Sequence, residues 1–128
     1  MASATTSGIK VSVDTFYQHD YSNPLKHKYV FAYRVHIENQ SERAVQLLSR
    51  RWVITNGFGT IKLVEGMGVI GRQPVIQPGQ AHEYYSGCEL TTDMGTMAGV
   101  YIMRPQDGGK EFEVIIPKFE MVTPSKAN

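Results

Sequence analysis

The period-two alternation from Tyr29 to Glu38 constrains this chain more than any other feature. Tyr29, Phe31, Tyr33, Val35 and Ile37 fall on one side of an extended backbone. Ala32, Arg34, His36 and Glu38 fall on the other, with Val30 the apolar exception. Such a segment is a strand with one face in a core. Ile9, Val11 and Val13 alternate in the same way, as do Phe112, Val114 and Ile116 at the far end. No stretch sustains the 3.6-residue period of an amphipathic helix.

The segment Ala44 to Thr55 changes phase: Val45 and Leu47 set one parity, Leu48, Trp52 and Ile54 the other. One extra residue reconciles them, so the pattern predicts a β-bulge near Ser49, which would re-aim Arg50. Further strands are expected at Thr60 to Val64, Gln80 to Ser86, Thr96 to Arg104 and Glu111 to Ile116. Thr96 to Arg104 is apolar on both parities, as in a strand central in its sheet. Turn residues separate them at 18–27, 39–42, 56–59, 78–79, 87–95 and 106–109, with Asn56-Gly57 expected to supply positive φ angles. Seven short strands so punctuated specify an all-β fold, a β-sandwich of the fibronectin type III or immunoglobulin kind. A barrel is the alternative. Residues 1–8 read as a disordered lead-in, 9–124 as one domain and 125–128 as a short tail. The chain from Pro117 to Pro124 is expected to leave the sheet, with Phe119 and Met121 tucked against it.

At 128 residues there is length for one core. Thirteen basic against twelve acidic residues give a net charge of +1, which offers no electrostatic footprint for nucleic acid. The single cysteine, Cys88, leaves no disulfide and no cysteine-cluster zinc site, and fits a reducing compartment. No apolar run approaches the length of a membrane span, and 1–8 lack the order of a secretory signal. A cytoplasmic protein without membrane contact is expected.

Gly66-Met67-Gly68-Val69-Ile70-Gly71 has the spacing G-x-G-x-x-G. In a dinucleotide-binding unit this motif follows a strand and opens a helix. Here Pro74, Pro78 and Gly79 preclude the helix. Two readings remain: a glycine-rich connection between strands, or a phosphate-cradling loop outside that fold. The second takes Gly66, Gly68 and Gly71 as the cradle, with Arg72 as a charged neighbour and Arg50 as a cation the fold could bring close.

Other chemistry is thinner. His19, His27, His36 and His82 show no metal-ligand spacing, so no metal site and no cofactor are expected. Ser86-Gly87-Cys88 is the one tempting nucleophile segment, but on an extended strand His82 lies about 13 Å from Ser86. No catalytic residue is therefore assigned. Met94, Met97, Met103 and Met121 read as core filling, and of Tyr84 and Tyr85 one must face outward.

Several segments together are similar to one family. They include Tyr29-Val30-Phe31-Ala32-Tyr33, Gln46 to Trp52, Glu65 to Gly71 with Gln73-Pro74, Tyr84-Tyr85-Ser86-Gly87, Gly95 to Tyr101 and Ile116-Pro117-Lys118-Phe119. In this order, over roughly 9 to 124, the chain resembles the ApaG family. The resemblance implies a fibronectin type III-like sandwich. It also implies an association with cobalt and magnesium resistance, a genetic neighbourhood beside a diadenosine tetraphosphate hydrolase, and partner-binding domains in larger eukaryotic relatives. The glycine segment is the feature that family proposes for pyrophosphate. The expectation is a non-enzymatic module that binds a protein partner or, through an exposed edge, itself as a homodimer. The alternative is pyrophosphate or dinucleoside polyphosphate binding at Gly66 to Gly71, with phosphate-anhydride hydrolysis last.

Overall fold

A computed structural model describes residues 1–127 and forms a sandwich of two antiparallel sheets. Its strands are β1 (Ala2–Thr6), β2 (Ile9–Tyr17), β3 (Tyr29–Asn39), β4 (Val45–Asn56), β5 (Ile61–Met67), β6 (Val75–Ile76), β7 (Ala81–Leu90), β8 (Met94–Pro105) and β9 (Phe112–Val122). One sheet has the order β1-β2-β3-β7; the other runs β5-β4-β8-β9, with short β6 paired to β4. The chain crosses between sheets after β3, after β6 and after β7, the hallmark of a fibronectin- or immunoglobulin-type sandwich. Cys88 is a free thiol.

The alternating residues of β3 behave as their parity requires: Phe31, Tyr33, Val35 and Ile37 are buried. They meet β4, β8 and β9 across the interior, where Trp52 is central. Its ring lies edge-on to Tyr33 at 5.7 Å, Phe119 at 6.0 Å and Tyr101 at 6.4 Å between centroids. Edge-to-face contacts of this kind add about 1 kcal/mol each beyond area burial. Met97, Met103 and Met121 are buried as core filling, whereas Met94 is 40% exposed.

Four local expectations are corrected. Residues 1–8 are not a disordered lead-in: Ala2–Thr6 pairs with β2 in unbroken register, Ala2 to Val13 through Thr6 to Ile9. Their small, hydroxylated side chains suit a half-exposed edge strand. β7 runs on through Cys88 to Leu90, because inward Ser86, Cys88 and Leu90 keep the alternation that Gly87 only interrupts visually. β9 does not leave the sheet at Pro117. A register shift opposite Met97 to Gly99 absorbs the proline, which cannot donate to a ladder, and Phe119 and Met121 re-enter the core. At the β4–β5 turn the left-handed residue is Gly59, at φ +82°, not Asn56 or Gly57. Asn56 instead accepts the Phe58 and Thr60 amides on Oδ1, at 2.9 and 3.0 Å. After β9 one helical turn, α1 (Pro124–Ala127), occupies most of the expected tail; Asn128 lies outside the described residues.

The two sides of the sandwich differ. On one, β9 lies against β1 and β2: the Ile115 amide donates to Thr6 Oγ1 at 3.1 Å, and Thr15 Oγ1 donates to the Glu120 carbonyl at 3.3 Å. On the other, β5 and β7 are the last strands of their sheets, with no β-pairing to each other. The sandwich opens between these two free edges.

Candidate functional site

Arg50 stands in that opening because of the bulge. The register of β4 on β8 shifts between Leu47 and Ser49, as the phase change requires, and places Arg50 on the same side as buried Trp52. Its Nη1 donates to the carbonyls of Met67 at 3.1 Å and Gly68 at 2.7 Å. Gly66, its cross-strand partner, makes room: a Cβ there would sit 2.8 Å from the Arg50 guanidinium carbon. Gly68 adopts φ +60°, and a Cβ would fall 2.0 Å from the Arg72 carbonyl oxygen. That carbonyl accepts the Val69 amide at 2.7 Å, and the Arg72 amide returns a bond to Val69 at 3.0 Å. Ile70 and Gly71, at φ +48° and +71°, are the left-handed pair of this tight turn.

Of the five residues singled out for an anion, the fold therefore joins Arg50, Gly66 and Gly68. Toward Arg50 the segment presents carbonyl oxygens, not amides. Gly71 and Arg72 sit at the exposed tip, where the amides of Ile70 and Gly71 have no partner among the described residues. The pKa of His82 is lowered by burial first and then by the Arg72 charge.

Beneath the mouth lies a cleft of about 360 Å³ between the sheets, whose lining includes Tyr33, Arg50, Trp52, Lys62, Ser86 and Cys88. Behind it Tyr84 and Tyr101 share a hydrogen bond between their hydroxyls, both buried. Burial pushes the Tyr33, Tyr84 and Tyr101 phenols up, and the Arg50 charge partly offsets this in each. For Tyr33 the hydroxyl of its cross-strand partner Ser86 offsets more than the arginine. The Cys88 thiol is likewise raised by burial, against the opposing pull of Lys62. Sequence reading singled out Arg50 but missed Lys62 and the tyrosines. The usable signal was parity: even-numbered positions of β7 and odd-numbered ones of β3 share the interior.

Outward from the cleft, β5 turns a different row to solvent. Ile61, Leu63 and Met67 are 61%, 72% and 71% exposed, and Val53, the cross-strand partner of Leu63, is 38% exposed. Among the described residues no group of three or more His, Cys, Asp or Glu could hold a metal ion. Among the described residues Ser86 makes no hydrogen bond to a histidine, and the one hydrogen-bond partner of the Cys88 thiol is the Glu89 carbonyl, at 3.9 Å. A larger hollow of about 730 Å³ lies at the loop end near Thr92 and Phe58, but the Thr92 hydroxyl there is spent on Gly57 N and Met94 O. No described helix is long and apolar enough to cross a membrane.

The description "ApaG domain" matches residues 19–105. The chain belongs to the ApaG family. It is 47% identical to Protein ApaG of Brucella abortus (strain S19) over 126 residues, covering 98% of this chain and 96% of that one. Against Protein ApaG of Paramagnetospirillum magneticum it is 48% identical over 124 residues, 97% and 95% of the two chains. The crystal structure of the putative ApaA protein from Bordetella pertussis superposes with a TM-score of 0.88 at 40% identity, over 97% of this chain and 98% of that one. The C-terminal domain of wzt, at 7% identity and a TM-score of 0.56 over 94% of this chain and 77% of that one, is a likeness of fold alone.

Proposed function

We propose that this ApaG-family chain is a non-enzymatic binding module that takes an extended segment of a partner protein along the free edge of β5. The observation that carries this is the exposed apolar row Ile61, Leu63 and Met67 on a strand that, among the described residues, has no neighbour on one side. An edge strand of this kind is a ready template for strand addition, with side-chain pockets supplying selectivity. On the outward row of β5 the one charge is Glu65, while Lys62 points toward the cleft. Recovery of a partner from native lysate tests the reading. A chain carrying Leu63→Lys with Val53→Lys should lose that partner while keeping its fold. Full retention, or no partner at any salt, defeats the proposal.

A pyrophosphate at the glycine segment has one observation in its favour, the unpaired Ile70 and Gly71 amides beside exposed Arg72. An amide NMR titration with pyrophosphate and diadenosine tetraphosphate checks it. Saturable shifts at Ile70, Gly71 and Arg72 support it; silence at millimolar ligand retires it.

A further inference from the structure

The geometry points to the inter-sheet cleft as a binding site for a small organic oxyanion, a carboxylate or phosphate ester on a flat apolar body, held by Arg50 and Lys62. It rests on other residues than strand addition at β5 does, because Leu63 and Lys62 project from opposite faces of that strand. Three observations carry it.

The first is unused hydrogen-bonding capacity. Arg50 spends Nη1 on two carbonyls, while Nη2 and Nε have no acceptor among the described residues. Among the described residues no unpartnered side-chain nitrogen is sealed from solvent, so these donors are reachable. A guanidinium fixed through one nitrogen, with the others open, is prepared for the forked recognition that oxyanions allow.

The second is charge. Lys62 lines the same cleft from β5, and neither it nor Arg50 forms an ion pair among the described residues. The one carboxylate on the lining, Glu89, projects from the outward row of β7 and lies 4.0 Å from Lys28. Two cations in a chain of net charge +1 are thus concentrated on one concave surface. Partial enclosure by protein strengthens their pull on an anion relative to open water.

The third is the wall. Half-buried Ile54 and Val64 give the cleft its accessible apolar side, backed by buried Trp52 and Met97 on the same lining. An inorganic ion uses none of that apolar surface; an aromatic or aliphatic acid uses both parts. About 360 Å³ falls in the size range of small-molecule sites and is ample for one ring with its acid group.

Trp52 is the only tryptophan, so its indole N–H cross-peak reports on this cleft alone. The probes are benzoate, phenyl phosphate and neutral benzyl alcohol, titrated into the full chain. The site predicts saturable shifts of the Trp52 indole and the Ser86 and Cys88 amides with at least one anion, and none with the alcohol. Response to benzoate alone assigns a carboxylate ligand, and response to phenyl phosphate alone a phosphate ester; both sustain the site. Arg50→Gln should weaken binding about tenfold or more, as expected for a charge-assisted contact. Because Arg50 also braces the glycine turn, Lys62→Glu, on an exposed side chain, supplies the second variant. It should weaken binding about tenfold with the fold intact. Unchanged affinity in Lys62→Glu, an equal response to benzyl alcohol, no saturable shift, or shifts confined to Ile70 and Gly71 would each overturn the assignment.

Discussion

Asn39 is the residue whose loss should tell most about how this sandwich is held. It ends β3 where the chain crosses between sheets, and its side chain is fully buried. Nδ2 donates to the carbonyls of Arg43 at 2.8 Å and Ile76 at 2.9 Å. Oδ1 accepts the Ser41 amide at 2.9 Å and the Ser41 hydroxyl at 2.6 Å. One amide thus ties β3, the turn into β4, and β6. Asn39→Ala removes all four bonds and leaves the Ile76 carbonyl buried without this partner. At about 1 kcal/mol net per bond, the loss is roughly 3–4 kcal/mol. Against a total stability of about 5–15 kcal/mol that is a large fraction. For a domain of this length it lowers Tm by roughly 10–15 °C. Urea unfolding followed by Trp52 fluorescence measures it as a fall in midpoint at unchanged slope. Ser41→Ala, which loses only the hydroxyl contacts, should cost about 1 kcal/mol. A loss below about 1 kcal/mol for Asn39→Ala would refute the bond count, since it would mean that the crossover re-satisfies itself with water.

Other expectations follow from the same geometry. Gly99→Ala places a Cβ 2.1 Å from the Arg51 carbonyl oxygen in the β4–β8 ladder, so it should cost about 1–3 kcal/mol, read by the same unfolding curve. Ile70 is a β-branched residue at φ +48° and 60% exposed, so Ile70→Asn should raise Tm by a few degrees through relief of about 1 kcal/mol of backbone strain. The buried phenols make stability fall in alkali. Below pH about 10 Tyr33, Tyr84 and Tyr101 are neutral in both states and their contribution is complete. Above it the unfolded chain ionises first, and stability is lost as pH rises toward the raised folded values. Tyr84→Phe should flatten that alkaline limb, which chemical denaturation across the pH range would reveal.

The architecture was legible because the apolar positions of β2, β3 and β9 alternate cleanly and one parity must be buried. The bulge was legible for the same reason: Val45 and Leu47 cannot share a face with Trp52 without an extra residue, and Leu48 is that residue. β1 was not, since Ala2 and Ala4 alternate with Ser3 and Thr5 but carry no large apolar side chain, too weak a contrast to announce a strand. The course of β9 through Pro117 was hidden because a bulge opposite Ala98 belongs to the partner strand as much as to the proline. The spacing of the glycine segment does not say why its glycines are needed. Gly66 is required by the Arg50 guanidinium and Gly68 by the Arg72 carbonyl, two contacts that no pattern within the segment contains. Asn39 read as the first residue of a turn, and its burial follows from β6, which is too short to announce itself.

The exposed edge of β5 carries the functional account, and amide hydrogen exchange tests it most directly. With a captured partner bound, alternate amides of Ile61–Met67 on the open side should gain strong protection as a new strand pairs with them. Unchanged exchange along β5, with protection appearing elsewhere on the molecule, would contradict strand addition at this edge.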